Sequence, residues 1–225
     1  MVCGMPQFKI VVSDPEAKDE RYYLVRVVGD ESIKYGVEEK EEKKLPIAKV
    51  NPELLKRLNT PYKLITVRIW KSKEKREKVN MSFRAVEDLN IPPEEIRVSK
   101  DILSEKLGVD KVLGEVFRTK TFQIVVEGEK AQRLIGLKIG DVFDASIVGI
   151  PGKLLLITGG SDSSGFPMRP DLPGGVKKPL LLSDPPGFHP REKGERRRKM
   201  VRGNTIVEDI AQVNTKIVSP EEVRK

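Results

Sequence analysis

Residues 158–165, Thr-Gly-Gly-Ser-Asp-Ser-Ser-Gly, hold the residue types that phosphate-cradling loops and serine nucleophiles use. A nucleotide-hydrolase loop needs Lys followed by Ser or Thr after its last glycine, to reach the terminal phosphate and its Mg²⁺. Phe166-Pro167 stand there instead. A nucleophile elbow needs glycine two residues either side of its serine. Ser161 has Gly159 before it but Ser163 after it. Serine chemistry also needs a base, and the one histidine, His189, sits between Phe188 and Pro190 in a basic stretch, where facing solvent or stacking on a base suits it better. One His and one Cys leave too few donors for most transition-metal sites. The residues therefore predict no catalytic site, no metal, no cofactor and no small-molecule substrate. The chain does not read as an enzyme.

Charge is the stronger signal. Residues 193–206, KGERRRKMVRGNTI, place five cations in the seven positions from Arg196 to Arg202 and then turn through Gly203-Asn204 into an apolar pattern. Of the net charge of +8, residues 167–203 supply +6, from four Lys and six Arg against two Asp and two Glu. An excess segregated in this way fits a polyanionic partner, either nucleic acid or an anionic membrane. Pro and Gly interrupt the basic stretch, which suits a membrane-lying helix poorly. No apolar run approaches the roughly 18 residues of a span, and no signal peptide opens the chain. Arginine dominates, and a guanidinium both forks onto phosphate oxygens and stacks on exposed bases. Loop-borne Arg beside Phe and Pro favours folded RNA, with DNA or another anion as the alternative. The single Cys3 excludes an intramolecular disulfide and a Cys-based zinc site and fits a reducing, intracellular setting. Met5 is an alternative start to Met1.

The elements that must position these residues are mostly strands. Runs at 8–12, 22–28, 62–70, 121–126, 153–158, 179–182 and 213–218 are β-branched, aromatic or leucine-rich. Short helices are expected at 51–59, 99–108 and 129–136, with Asn51-Pro52 and Ser99 as starts and Gly108 and Gly136 as stops. Residues 48–69 and 96–117 both read strand, capped helix, turn, strand, which predicts a pseudo-repeat forming a small barrel of twofold symmetry. Residues 124–146 share the outline. The mixed-sign stretches 36–44 and 72–78 read as exposed, solvated loops. Residues 159–194 are too rich in Gly and Pro for helices or long strands. Phe166, Met168, Leu172 and Phe188 recur among them, which suggests extended loops that order against a partner. The fold class is mainly β with short helices (α+β).

The paired motifs ITGGSDSSGFPMRPDLPGG and LLLSDPPGFHPREKGERRRKMVRGNTI, together with DIAQVNTKIV after them, resemble the family of small-subunit ribosomal protein six of the archaeal and eukaryotic type. FKIVVSDP (8–15) is similar to the family's opening strand and LIGLKIGDVFDAS (134–146) to its next segment. About a hundred residues intervene where the plain family pattern has some twenty. The resemblance thus implies a discontinuous, β-barrel-like ribosomal domain (1–17 and 120–225) interrupted by a β-rich, barrel-like insert (18–119), with 159–203 as a basic extended loop region. It implies a structural role in the small subunit, supporting translation as part of a cytoplasmic ribonucleoprotein. The partners would be small-subunit ribosomal RNA and neighbouring ribosomal proteins, with no membrane. The alternative is an RNA-binding factor or chaperone outside the ribosome, its insert a protein-interaction module. By resemblance, RNA contacts fall on Arg169, Lys177, Lys178, Arg191, Lys193, Arg196, Arg197, Arg198, Lys199 and Arg202, while Gly159, Gly160, Gly194 and Gly203 set backbone shape. The family's eukaryotic members carry a further basic helix and a phosphorylated serine cluster. That regulation is not carried over.

Overall fold

The computed structural model describes residues 6–17, 21–72 and 77–219, with the side chain of Ser72 left undescribed. Cys3, Met5 and the middle of the 72–78 loop lie outside the described residues. In chain order the elements are β1 (Gln7–Ser13), β2 (Tyr22–Asp30), the helical turn α1 (Val37–Lys40), β3 (Ile47–Val50), α2 (Pro52–Leu58), β4 (Leu64–Ser72), β5 (Glu77–Glu87), β6 (Glu95–Ser99), α3 (Lys100–Leu107) and β7 (Lys111–Arg118). Then come β8 (Thr121–Glu127), α4 (Glu129–Gln132), β9 (Val142–Asp144), a 3-10 turn (Ala145–Val148), β10 (Leu154–Asp162), β11 (Lys177–Leu182), β12 (Arg197–Arg202) and β13 (Ile210–Val218). The mainly β class with short helices is what the structure shows. The chain divides into two compact units, Met1–Ser13 with Gln123–Lys225, and Asp14–Phe122.

The middle unit is a closed barrel in the order β2-β6-β3-β5-β4-β7. Its two halves, β2-β3-β4 and β5-β6-β7, pair alike. The parallel pair β2 with β6 matches β5 with β3, and the antiparallel pair β2 with β7 matches β5 with β4. β3 with β6 and β4 with β7 pair across the pseudo-axis. Alternation along the strands sends Val25, Val27, Ile65, Val67, Phe83, Ile96, Val98 and Val116 inward, where Leu54, Leu55 and Leu58 of α2 and Ile102 and Leu103 of α3 join them. α2 starts as expected: the Asn51 side chain accepts the Glu53 N–H at 2.8 Å and donates to the Ile91 carbonyl at 2.7 Å. Its counterpart Ser99 does not cap; the buried hydroxyl has no hydrogen-bond partner, although α3 still ends at Gly108 in the left-handed region. The 36–44 stretch is not loop throughout, because it contains the turn α1.

The second unit is a five-stranded sheet in the order β8-β1-β13-β10-β9. β1 runs parallel to β13, with Lys9 opposite Gln212, so strands from the two ends of the chain lie side by side at the sheet's centre. Phe8, Ile10, Val12, Leu155, Ile157, Val213 and Ile217 are buried over it. β1 and β8 are neighbours, and the chain leaves after the one and returns before the other. The Asp14 N–H donates to the Lys120 carbonyl at 2.8 Å, and the Arg118 guanidinium holds the Asp14 carboxylate at 2.7 and 3.1 Å. The two ends of the intervening segment are thus tied together, and loop closure across a cut there costs little. Residues 14–122 expressed alone should unfold in one cooperative thermal transition, and joining Ser13 to Thr121 through a short Gly/Ser linker should leave a folded sheet by circular dichroism. Loss of structure in both pieces would mean a single interlocked fold.

Candidate nucleic-acid interface

Asp162 ends β10, and its buried carboxylate organises the segment beyond it. One oxygen accepts the N–H groups of Ser164 at 2.9 Å and Phe166 at 2.8 Å; the other receives Arg202 Nε at 3.1 Å and Lys177 Nζ at 3.2 Å. The other arm of Arg202 donates to Asp209 at 2.8 Å. Burial raises the Asp162 pKa, but the Phe166 N–H, the Arg202 guanidinium and the Lys177 ammonium outweigh it and hold the carboxyl below its ordinary value. The backbone closes the same junction. The Arg202 N–H donates to Pro167 O at 2.9 Å and the Arg169 N–H to Arg202 O at 3.0 Å. The two sequence motifs are therefore partners of each other.

The rest of that pairing explains the Arg-Gly-Asn triplet. A Cβ on Gly203 would overlap the Gly174 carbonyl, so no other residue lets these backbones approach. The Asn204 carboxamide oxygen accepts the Gly174 N–H at 3.1 Å, and its backbone N–H donates to Leu172 O at 2.8 Å. Gly160 is held in the same way, its Cβ position blocked by the Gln212 carbonyl, and Gly194 has φ +88°. Gly159 departs from the expectation: a Cβ there would meet open space, and its φ is ordinary.

The basic run is a strand, where the sequence predicts loop. β12 pairs antiparallel with β11 from Lys177 opposite Arg202 to Leu182 opposite Arg197. The pair is anchored on one face by Val201, Leu182 and Phe188, with Leu172 and Leu180 packed against them. Met168 and Phe188, expected to await a partner, are buried in their own chain. Alternation then fixes where the cations go. Arg197 and Lys199 share the face of Val201, Arg198 shares that of Arg202, and Arg196, Arg197, Arg198 and Lys199 are all exposed. Lys178, Arg191 and Lys193 are exposed as well. Three of the ten expected RNA contacts are instead engaged within the fold. Arg202 is 8 % exposed at its side chain, Arg169 grips Asp171 at 2.9 and 3.0 Å and Pro186 O at 2.8 Å, and Lys177 lies between Asp162 and the Phe166 ring, 4.5 Å from its centroid. The inward use of Arg202 is what sequence reasoning misses, although an acidic residue in one motif and a lone apolar-flanked Arg in the other are a signal for it. Ser161 and His189 share no hydrogen bond among the described residues. Nor does any group of three or more His, Cys, Asp or Glu there suit a metal ion. No described helix is long and apolar enough to cross a membrane.

The chain is similar to known proteins over most of its length. The family model described as ribosomal protein S6e matches residues 111–224. A protein of Hyperthermus butylicus named small ribosomal subunit protein eS6 is 58 % identical over 218 residues, covering 96 % of this chain and 99 % of its own. The protein of that name from Staphylothermus marinus is 51 % identical over 214 residues, covering 95 % and 99 %. That of Sulfolobus acidocaldarius is 41 % identical over 212, covering 94 % and 98 %. These alignments run through the barrel as well as the sheet.

Asp162→Asn should destabilise the chain by about 3–5 kcal/mol in urea unfolding at neutral pH, since it leaves Arg202 buried beside a neutral amide. The wild-type carboxylate contributes stability above the unfolded carboxyl range, near pH 4, and this is lost as pH falls through the lower folded value. The Asn variant should therefore lose less stability than wild type on acidification. Gly159→Ala should change stability by less than about 0.5 kcal/mol.

Proposed function

The chain belongs to the ribosomal protein S6e family, and from that premise we propose that it is a structural constituent of the small ribosomal subunit whose exposed β12 cations and the loop before them neutralise phosphates of ribosomal RNA. The observation that carries this reading is the division of roles along β12 and the residue before it. Arg202 is bound to carboxylates inside the fold, whereas Arg196, Arg198 and Lys199 stand out from it with no ion-pair partner among the described residues. Arg197 touches Glu195 at 3.0 Å but keeps 60 % of its side chain exposed. A solvated run needs no such platform. Here a two-stranded ladder with its own apolar anchor fixes the spacing of the cations, which lowers the entropy cost when each meets a phosphate. Lys178 on β11 and Arg191 and Lys193 in the connecting loop extend the basic surface. Arg202, Arg169 and Lys177 act one step behind it, by fixing the strands on which the other cations ride. Neighbouring ribosomal proteins complete the environment.

Replacing Arg196, Arg197 and Arg198 with Ala should leave thermal stability nearly unchanged. It should weaken RNA binding and flatten the slope of log affinity against log salt by roughly 0.7–0.9 for each phosphate no longer neutralised. Arg202→Ala should do the reverse, lowering stability first. Retention of the wild-type chain on small subunits through a high-salt wash is expected. A chain that washes off, or a triple variant with unchanged affinity and slope, would overturn the reading.

A further inference from the structure

The barrel's pseudo-twofold provides an internal control for its own surface. Glu95 and Ile47 each lie four residues before the residue that opens the helix after them, Ser99 and Asn51. Their parallel partners are Arg26 and Arg84, whose antiparallel partners are Leu113 and Leu64. By the same registers Leu24 corresponds to Ser82, Tyr22 to Asn80 and Glu115 to Thr66. The two equivalent surfaces differ. Around Leu64 the outer face is closed by the chain's own exit segment. Thr119 donates its N–H toward Leu64 O at 3.5 Å and its hydroxyl meets that of Thr66 at 2.9 Å, leaving Leu64 5 % and Thr66 6 % exposed. Around Leu113 no described segment of residues 14–122 covers the strands. Leu113 is 70 % exposed, Leu24 71 % and Tyr22 62 %. The fold does not require these apolar side chains, because its other half places Ser and Asn at the matching positions of β5.

We infer that this β2–β7 face is a docking surface for a partner protein, which covers Leu24 and Leu113 with an apolar side chain flanked by acidic residues. The charge around the patch selects that chemistry. In the polar cleft beside it, of about 450 Å³, Glu95 is paired with Arg97, Glu31 with Lys100 and Asp30 with Lys49. Arg26, directly opposite Leu113, and Lys111, two residues before it on the same face, have no carboxylate partner among the described residues. Two exposed cations thus border an aliphatic centre. RNA fits this surface less well. Bases dock on open aromatic faces, whereas the centre here is leucine, Tyr22 offers an open ring only at the end of β2, and the Phe117 ring opposite it already carries the Arg68 guanidinium 4.8 Å from its centroid. Exposed apolar clusters rimmed by charge mark protein contacts.

The test is photo-cross-linking in cells that make the full-length chain with Leu113→p-benzoylphenylalanine, with Tyr22→p-benzoylphenylalanine as a second position and Leu89→p-benzoylphenylalanine as the control. Leu89 is 83 % exposed but lies in the turn after β5. The expected result is a protein adduct at positions 113 and 22, absent at 89, whose cross-linked peptide carries an apolar residue between acidic ones. Arg26→Glu with Lys111→Glu should lower its yield about tenfold, because like charges then face each other across the interface. An RNA adduct, an adduct to a second copy of the chain, no adduct above the control, or a protein adduct indifferent to charge reversal would each overturn the inference. None of these outcomes depends on whether the chain sediments with small subunits, so this inference and the ribosomal reading fail separately.

Discussion

The geometry of the basic surface depends on one buried ion pair, Asp162 with Arg202. Taking two charges out of water costs several kcal/mol each, and attraction repays this only when the remaining hydrogen-bonding capacity is also met. Here it is met. Asp162 has two backbone donors besides its two cations, and Arg202 has Asp209 and lies near the Gly175 carbonyl at 3.5 Å. The pair ties the last residue of β12 to the last residue of β10, and alternation back along the strand then sets which faces its other cations take. The flanking glycines stem from the same closeness, because backbones drawn together by the pair leave no room for a Cβ at 203.

The sequence signal for this region is strong and its structural meaning is half hidden. Charge segregation and arginine preference are legible without coordinates, because they are properties of composition. Which cation is consumed inside the fold is not, because it depends on a carboxylate forty positions away. The strand character of β12 is obscured for a related reason. Consecutive cations have no alternation to read, and the ladder forms because β11 and Phe188 supply an apolar face that the basic strand itself contributes only through Val201. Gly-Pro texture misleads in the same direction: Met168 and Phe188 look free in the sequence because their partners lie far off along it.

The barrel is more legible. Alternating β-branched runs, Asn51-Pro52 and Gly108 are local signals, and local signals survive reading in one dimension. The repeated strand–helix–strand outline at 48–69 and 96–117 corresponds to β3-α2-β4 and β6-α3-β7. β2 and β5 complete the two halves, although the β5 run does not stand out in the sequence as the others do. Ser99 shows the limit of analogy between repeats. It occupies the position of Asn51, yet its shorter side chain makes no cap, and the helix forms regardless, held by Ile102 and Leu103 in the core.

The parallel pairing of β1 with β13 also imposes an order in time. A growing chain presents β1 long before β13, so β1 must wait for the strand at the centre of the sheet until residues 210–218 have been made. At about 5–20 residues per second that wait is on the order of ten to forty seconds. The barrel, whose strands are all made in the interval, can close within milliseconds to seconds of its completion. Meanwhile Phe8, Ile10 and Val12 lie on an unpaired edge of the kind that recruits foreign strands. β8, the other neighbour of β1, is made well before β13 and can shield one side. Vulnerability to misassembly is therefore concentrated at β1 and ends when β13 arrives.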